Sequence, residues 1–278
     1  MHSALMNCTT KGVGFSVENV LFEVRDGVGF ITLDRPEAMN AMNSALLGDL
    51  SEVLRNCRGD QTVRVLVIKG NGRAFCAGGD VRWMQETQAD SSWPAQFHSL
   101  VGQLNQVIML IRNMPKPVIA AVHGFASGAG FSLALACDLR LATEGARFNQ
   151  AYVNLSLTPD GGSTYFLSLL LGPAKALELI YTGRMVDAQE ALALGLLNEV
   201  VPEESLAAKA AELAAKLAQG PAIAYGQAKK LVYEAHRQSL AEQLELEQES
   251  IVSSSLSRDF REGLAAFAEK RKPLFQGK

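Results

Sequence analysis

The sequence predicts an α/β fold made of stacked or spiralling ββα units, closed by a helical C-terminal quarter. Three observations carry this. A buried strand, a small-residue loop and a helical stretch follow one another twice, the two loops about 50 residues apart. Short β-branched runs alternate with helical periodicity as far as Val201. Beyond Pro202 the pattern is Ala-rich and amphipathic, with no strand. The expected organisation is a flexible N-terminus over 1–17, a ββα core over 18–202 and a helical region over 203–278.

The elements follow in order. Val20–Val24 and Val28–Leu33 flank Asp26-Gly27, a hairpin signal. Arg35-Pro36 breaks the chain. Asn43 then caps a helix to about Arg58, with Leu46, Leu47, Leu50 and Leu54 at helical spacing. Val63–Lys69 reads as a buried strand. Ala74-Phe75-Cys76-Ala77-Gly78-Gly79-Asp80 is the first small-residue loop. Pro94–Asn113 reads as a long helix stopped by Pro115 and Pro117. Val118–Val122 is a strand, and Gly124-Phe125-Ala126-Ser127-Gly128-Ala129-Gly130 is the second loop. Phe131–Cys137 reads as a short apolar helix, and Asp138–Ala142 and Arg147–Phe148 as strands. Pro173 opens a helix, Asp187 caps another that Gly195 ends, and Leu197–Val201 is a short strand. Helices are expected at 203–218, 221–237, 240–254 and 258–270.

Composition excludes several classes. Of 278 residues, 48% are apolar and 20% charged, which suits a globular core. A net charge of −3 gives no field to gather nucleic acid or an anionic membrane. Cys8, Cys57, Cys76 and Cys137 are scattered, without metal-ligand spacing, so reduced thiols in a cytoplasmic protein are expected. Met1–Val20 has no apolar core of a signal peptide, and Phe131–Cys137 is too short to span a bilayer.

The two small-residue loops carry the chemistry. Each follows a buried strand, and small residues let a ligand approach backbone N–H groups closely. The second runs straight into a helix, whose N-terminal dipole favours negative charge. Side by side, such loops can hold an oxyanion, each donor contributing about 2.7–4 kcal/mol. The glycines can equally serve tight turns. A dinucleotide-binding fold is excluded, because neither loop has the G-x-G-x-x-G fingerprint with its later acidic residue.

The wording of the motifs is more specific. Asp34-Arg35-Pro36-Glu37-Ala38-Met39-Asn40-Ala41, the two loops, and Phe260-Arg261-Glu262-Gly263 through Pro273 occur in an order and spacing that resemble the crotonase (enoyl-CoA hydratase/isomerase) family over about 18–275. The resemblance implies a crotonase-like spiral of ββα repeats with a C-terminal helical trimerisation region, and a homo-oligomer that is a trimer or dimer of trimers. It implies an acyl-CoA thioester substrate, with no cofactor beyond the coenzyme A that belongs to the substrate, and no metal. It places the oxyanion donors on Ala77 and Ala129. Glu37, Ala38, Met39, Ala77, Gly78, Gly79, Asp80 and Gly128 would line the substrate path, while Phe267 and Lys270 would approach coenzyme A, often from a neighbouring subunit.

The resemblance also separates reactions. Family hydratases use two glutamates, at positions that correspond here to Ser132 and Tyr152. Neither is a carboxylate, so the two groups that hydration needs are missing. Asp160, in Leu157-Thr158-Pro159-Asp160-Gly161-Gly162, falls where several family isomerases carry their base. One carboxylate suffices to shift a double bond, so an isomerase with Asp160 as base is expected. Asp160 could instead cap the helix that begins near Gly162. Tyr152 is expected to pack under the acyl group. A haloaryl-CoA dehalogenase would use Asp160 as nucleophile but also a helix histidine, where Asn105 stands; His98 lies two turns earlier. An acyl-CoA binder without turnover is a further alternative. His123 and Cys76 are expected to be structural, and Trp83, Met84, Trp93 and Phe97 to shape the acyl pocket.

Overall fold

A computed structural model describes the backbone of residues 5–9 and 12–278, and side chains from Val17 onward. The segment expected to be flexible supplies the edge strand β1 (Leu5–Thr9) and its neighbour β2 (Gly12–Val17), paired antiparallel. The alternation Val13, Phe15, Val17 is the strand signal there. Residues 1–4 and 10–11 of that segment lie outside the described residues. β2 pairs with β3 (Val20–Arg25), and β3 with β4 (Val28–Leu33). Asp26 and Gly27 join them with φ of 49° and 81°. Both angles are left-handed, which is what a two-residue hairpin of this hand requires.

Asn43 starts α1 (Ser44–Gly59), its side chain accepting the Leu46 N–H at 2.9 Å. The chain continues through β5 (Val65–Gly70), α2 (Val81–Thr87), α3 (Trp93–Arg112), β6 (Val118–Val122), β7 (Phe125–Ser127), α4 (Ala129–Ala136), β8 (Leu139–Thr143), β9 (Arg147–Asn149) and α5 (Ser163–Thr182). Then come β10 (Val186–Asp187), α6 (Ala188–Ala193), β11 (Glu199–Val201), α7 (Leu206–Ala218), α8 (Ala222–Glu234), α9 (Leu240–Ser255) and α10 (Arg258–Ala268). Three of these differ from expectation. α2 forms where a loop was expected, because Asp80 caps it by accepting the Trp83 N–H. β7 lies inside the second small-residue loop. α5 begins at Ser163, next to the expected start near Gly162, and joins on to the helix expected from Pro173, with a break at Gly172 (φ 74°, ψ 163°) between the two.

Two sheets result, ordered β1-β2-β3-β4-β5-β6-β8-β11 and β10-β9-β7. From β4 through β11 the large sheet is parallel. Successive turns give one strand to each sheet: β6 then β7, β8 then β9. A bridge between Cys76 and Ala126 joins the first loop to the small sheet. This is the expected spiral of ββα units.

The parallel part of the large sheet, from β5 to β8, is buried on both faces, as parallel sheets are. Along β5, Leu66 and Ile68 enter the main core with α1, α3 and α4, while Val65 and Val67 face the other side. That other side is closed by Leu206, Ala210, Ala214 and Ala218 of α7. So α7, which lies beyond the boundary expected at 203, packs on the sheet. Its Ala-rich face lets the helix approach the sheet closely, which is why it reads as an appendage yet packs as a layer.

Candidate active site

The first loop is held by the segment before α1. Met39 and Asn40 take left-handed φ values of 50° and 56°. The buried Asn40 side chain accepts the Arg35 N–H at 2.9 Å and donates to the carbonyls of Asn71 and Ala74, at 2.9 and 2.8 Å. With the two segments clamped, their backbones pair. Ala77 N–H donates to Met39 O at 3.0 Å, Met42 N–H to Gly78 O at 2.7 Å, and Asp80 N–H to Met42 O at 3.0 Å. Ala77 was expected to offer a free amide here. The Ala77 amide is already spent on Met39. Gly78 C=O and Asp80 N–H both turn to Met42, so the N–H of Gly79 between them points the opposite way, as alternate peptide groups of an extended chain do.

The second loop lies against the first. Ser127 N–H donates to Cys76 O at 3.0 Å, and Cys76 N–H to Phe125 O at 3.0 Å. Glycine is required at the contact. A Cβ on Gly78, whose φ is +99°, would stand 2.7 Å from Ser127 O; one on Gly130 would stand 2.2 Å from Cys76 O. Ala129 opens α4, so its N–H is among the donors that a helix start leaves unpaired.

Between the loops, α2, α3 and the 151–160 segment lies a cavity of about 220 Å³, lined by Ala77, Gly78, Gly79, Gly128, Ala129, Tyr152 and Asp160. The rest of its wall is largely apolar: Met42, Met84, Phe97, Leu100, Val101, Leu104, Leu155 and Leu157. Asp160 is the only charged side chain among the lining residues. Its Oδ1 accepts the Tyr152 O–H at 2.7 Å. Burial pushes its pKa up, and the Tyr152 bond pulls it partly back. The carboxylate does not cap α5: the capping position is Gly162, which has no side chain, and Ser163 N–H is taken by the Asp160 carbonyl at 3.1 Å. Tyr152 therefore does more than pack. Its oxygen also lies 3.1 Å from Ser132 Oγ.

Other expected residues fall outside the cavity wall. Asp80 accepts from Arg35 at 3.1 Å and from the Trp83 N–H, so its carboxylate serves the loop and α2. Glu37 and Ala38 sit in the turn before Asn40, and Met39 reaches the site only through its carbonyl. Phe267, 87% exposed, and the exposed Lys270 stand at the end of α10, away from this chain's cavity. Met84 and Phe97 line the wall, whereas Trp93 stacks on Phe97 with ring centres 4.8 Å apart and Trp83 lies tilted against Trp93 at 5.5 Å. Leu100, Val101 and Leu104 were not singled out from the sequence. Their spacing with Phe97 is the helical period of one α3 face. His98 and Asn105 are exposed on α3, so neither offers a dehalogenase base. His123 Nε2 bonds Gly72 O at 2.9 Å, and the Cys76 thiol is pushed up to about 12 by burial, too high for a nucleophile. Among the described residues no cluster of His, Cys, Asp and Glu could hold a metal ion. No described helix is long and apolar enough to cross a membrane.

Fold and site together define an α/β protein in which two small-residue loops and one carboxylate line a largely apolar cavity. The chain belongs to the enoyl-CoA hydratase/isomerase family, whose profile matches residues 23–278. It is 37% identical over 264 residues to the 1,2-epoxyphenylacetyl-CoA isomerase of Escherichia coli K12, covering 94% of this chain and all of that protein. It is 37% identical over 267 residues to a probable enoyl-CoA hydratase of Rhodobacter capsulatus, covering 95% and 100%. The crystal structure of an enoyl-CoA hydratase from Bacillus anthracis superposes with a TM-score of 0.89 at 34% identity, covering 94% and 100%, so the crotonase fold is shared.

Proposed function

We propose that this enzyme is an acyl-CoA double-bond isomerase. Asp160 Oδ2 takes a proton from the carbon next to the thioester or two carbons further on. The electrons move into the thioester oxygen, and the same carboxyl returns the proton at the other end of the conjugated system. The oxygen of the resulting dienolate is held by the N–H groups of Ala129 and Gly79, each worth about 2.7–4 kcal/mol in the transition state. Enolate stabilisation by amides calls for no metal or redox group, coenzyme A being part of the substrate. The observation that carries the reading is that Asp160 is the only carboxylate on the cavity wall. Hydration, which the names of some relatives suggest, needs a second acid–base group to activate water. Ser132 and Tyr152 stand where that pair would be, and burial with the Asp160 charge pushes the Tyr152 pKa well up, so it does not ionise.

The same reading has the enzyme act in the cytoplasm, on a free thioester, as a trimer or dimer of trimers in which Phe267 and Lys270 of one chain reach the coenzyme of the next. Its test is absorbance of the conjugated thioester on mixing with 3-enoyl-CoA. Asp160→Asn lowers kcat by about 10²–10⁴-fold, the usual contribution of a positioned acid–base group, and leaves acyl-CoA affinity nearly intact. Near-normal turnover in that variant sinks the assignment.

A further inference from the structure

We infer that Tyr152 is a positioning residue for proton transfer: its phenol, braced by Ser132, ties down Asp160 Oδ1 and leaves Oδ2 as the oxygen that exchanges the proton. This rests on reading Asp160 as the base. The three groups come from different elements. Tyr152 lies in the turn Ala151–Leu155, Ser132 on α4, and Asp160 before α5. The phenol oxygen is 2.7 Å from Oδ1 and 3.1 Å from Ser132 Oγ. Ser132 Oγ is in turn within 3.1 Å of the Asp160 carbonyl and 3.2 Å of the Gly128 carbonyl. The tyrosine ring packs on Gly128, where an added Cβ would meet Cζ at 3.6 Å. Gly128 immediately precedes the Ala129 N–H. One network therefore sets both the carboxylate and the start of the helix that presents an oxyanion donor.

Hydrogen counting gives the network a direction. The phenol has one hydrogen and the serine hydroxyl one. While Asp160 is ionised, the phenol hydrogen goes to Oδ1, and only the Ser132 hydrogen can bridge serine to phenol oxygen. Oδ2 accepts from no side chain among the described residues. A hydrogen bond donated to a carboxylate is stronger than one to its neutral acid, so the phenol favours the charged, basic form against the burial that disfavours it. No other charge lines the cavity. α2 gives it Val81 and Met84, α3 gives Phe97, Leu100, Val101 and Leu104, α4 gives Ala129, and Thr158 comes from the segment of Asp160; none is ionic. Tyr152 itself stays protonated, since burial and the neighbouring carboxylate raise its pKa. It therefore does not compete as a base.

The test is the pH dependence of kcat/KM for 3-enoyl-CoA isomerisation. Tyr152→Phe keeps the ring and removes only the donor, and the single Ser132 hydrogen then goes to one of the two carbonyls beside it, of Gly128 or Asp160. Asp160 must be ionised to act, so activity rises with pH through its pKa. Losing a donor to the charged form moves that rise to higher pH. The expected shift is about one pH unit, or roughly tenfold lower activity at a fixed pH on the rising limb. The high-pH plateau of kcat falls as well, because Oδ1 is no longer held, and the loss lies in kcat more than in KM, since the ring stays in the cavity wall. Ser132→Ala, which loosens the phenol without removing it, moves the limb the same way by less. A limb that does not move in Tyr152→Phe, with Asp160→Asn inactive, overturns the inference alone. Turnover retained in Asp160→Asn overturns the base assignment and this inference with it. Carboxyl carbon-13 titration of Asp160 in Ser132→Ala reads the same quantity without turnover should Tyr152→Phe not fold; an unshifted titration there also overturns it.

Discussion

Ionising Asp160 costs folding free energy, because burial disfavours its charge, yet proton abstraction needs the group ionised. The sign of the pH effect follows. The folded chain holds this proton more tightly than the unfolded chain, so the penalty is absent below about 3.9, the unfolded value, and complete above the raised native value. Asp160→Asn keeps the side-chain shape and an oxygen for Tyr152, without the charge. Calorimetry should therefore find this variant melting higher than the parent at pH 8, with the difference shrinking toward zero as the pH falls to about 4. In a chain of this size each kcal/mol moves Tm by about 2–4 °C. A difference independent of pH would contradict the assignment of the penalty to this carboxyl. The segments that hold Asp160 and Ala129 were legible in the sequence, because the residues that mark them are contiguous. The bond that occupies the Ala77 amide was not. It is made by the Met39 carbonyl, while Met42 pairs with Gly78 and Asp80. A contact between segments more than thirty residues apart leaves no local mark.

At the scale of elements, the site depends on two loops being held closer than side chains would allow. Gly78 combines both demands, a φ of +99° and a Cβ position 2.7 Å from Ser127 O. Gly78→Ala should cost about 1–3 kcal/mol through backbone strain. It should also separate the amide donors, lowering kcat by about 10²–10³-fold, as loss of one oxyanion donor does. Thermal unfolding and isomerase assays on the same preparation check both. Normal turnover in a stable variant would mean that the Gly79 amide is not a donor. Long, periodic elements were readable for a physical reason: α1 repeats its Leu face through Leu46, Leu47, Leu50 and Leu54 and has a side-chain cap. The short ones were not. β7 has three residues between glycine-rich flanks and exists only because β9 pairs with it. α2 has seven residues, and its signal was the single cap Asp80.

Across the whole molecule, the helices after β11 divide into two groups. α7 closes the second face of the sheet, and α8 is tied down by Lys229, which pairs with Asp138 at 2.8 Å and donates to Ile111 O at 2.9 Å. The Tyr233 hydroxyl donates to the same aspartate. α9 and α10 are tied more lightly: Gln243 of α9 donates to Leu231 O of α8 at 3.3 Å, and Asp259 of α10 accepts from Gln276 and Gly277 N–H. Leu240, Leu244 and Ile251 share one α9 face and are 75%, 54% and 70% exposed, and Phe260, Leu264 and Phe267 form a similar stripe on α10. Single exposed apolar residues are ordinary, but two parallel stripes on neighbouring helices make a patch of the kind that partner chains cover. The proposed trimer would cover it with the same helices of other chains, and would bring Phe267 and Lys270 to a neighbour's cavity. Leu244→Glu with Ile251→Glu places charge in that interface but outside the core and the cavity. Sedimentation equilibrium should then give a single chain where the parent gives three or six. Far-ultraviolet circular dichroism should stay native, because α7 and α8 retain their contacts. KM for acyl-CoA should rise as the neighbouring Phe267 and Lys270 are lost, while the Asp160-dependent rise of activity with pH stays in place. A parent that sediments as one chain would leave these stripes without their proposed partner and the coenzyme contacts without a source.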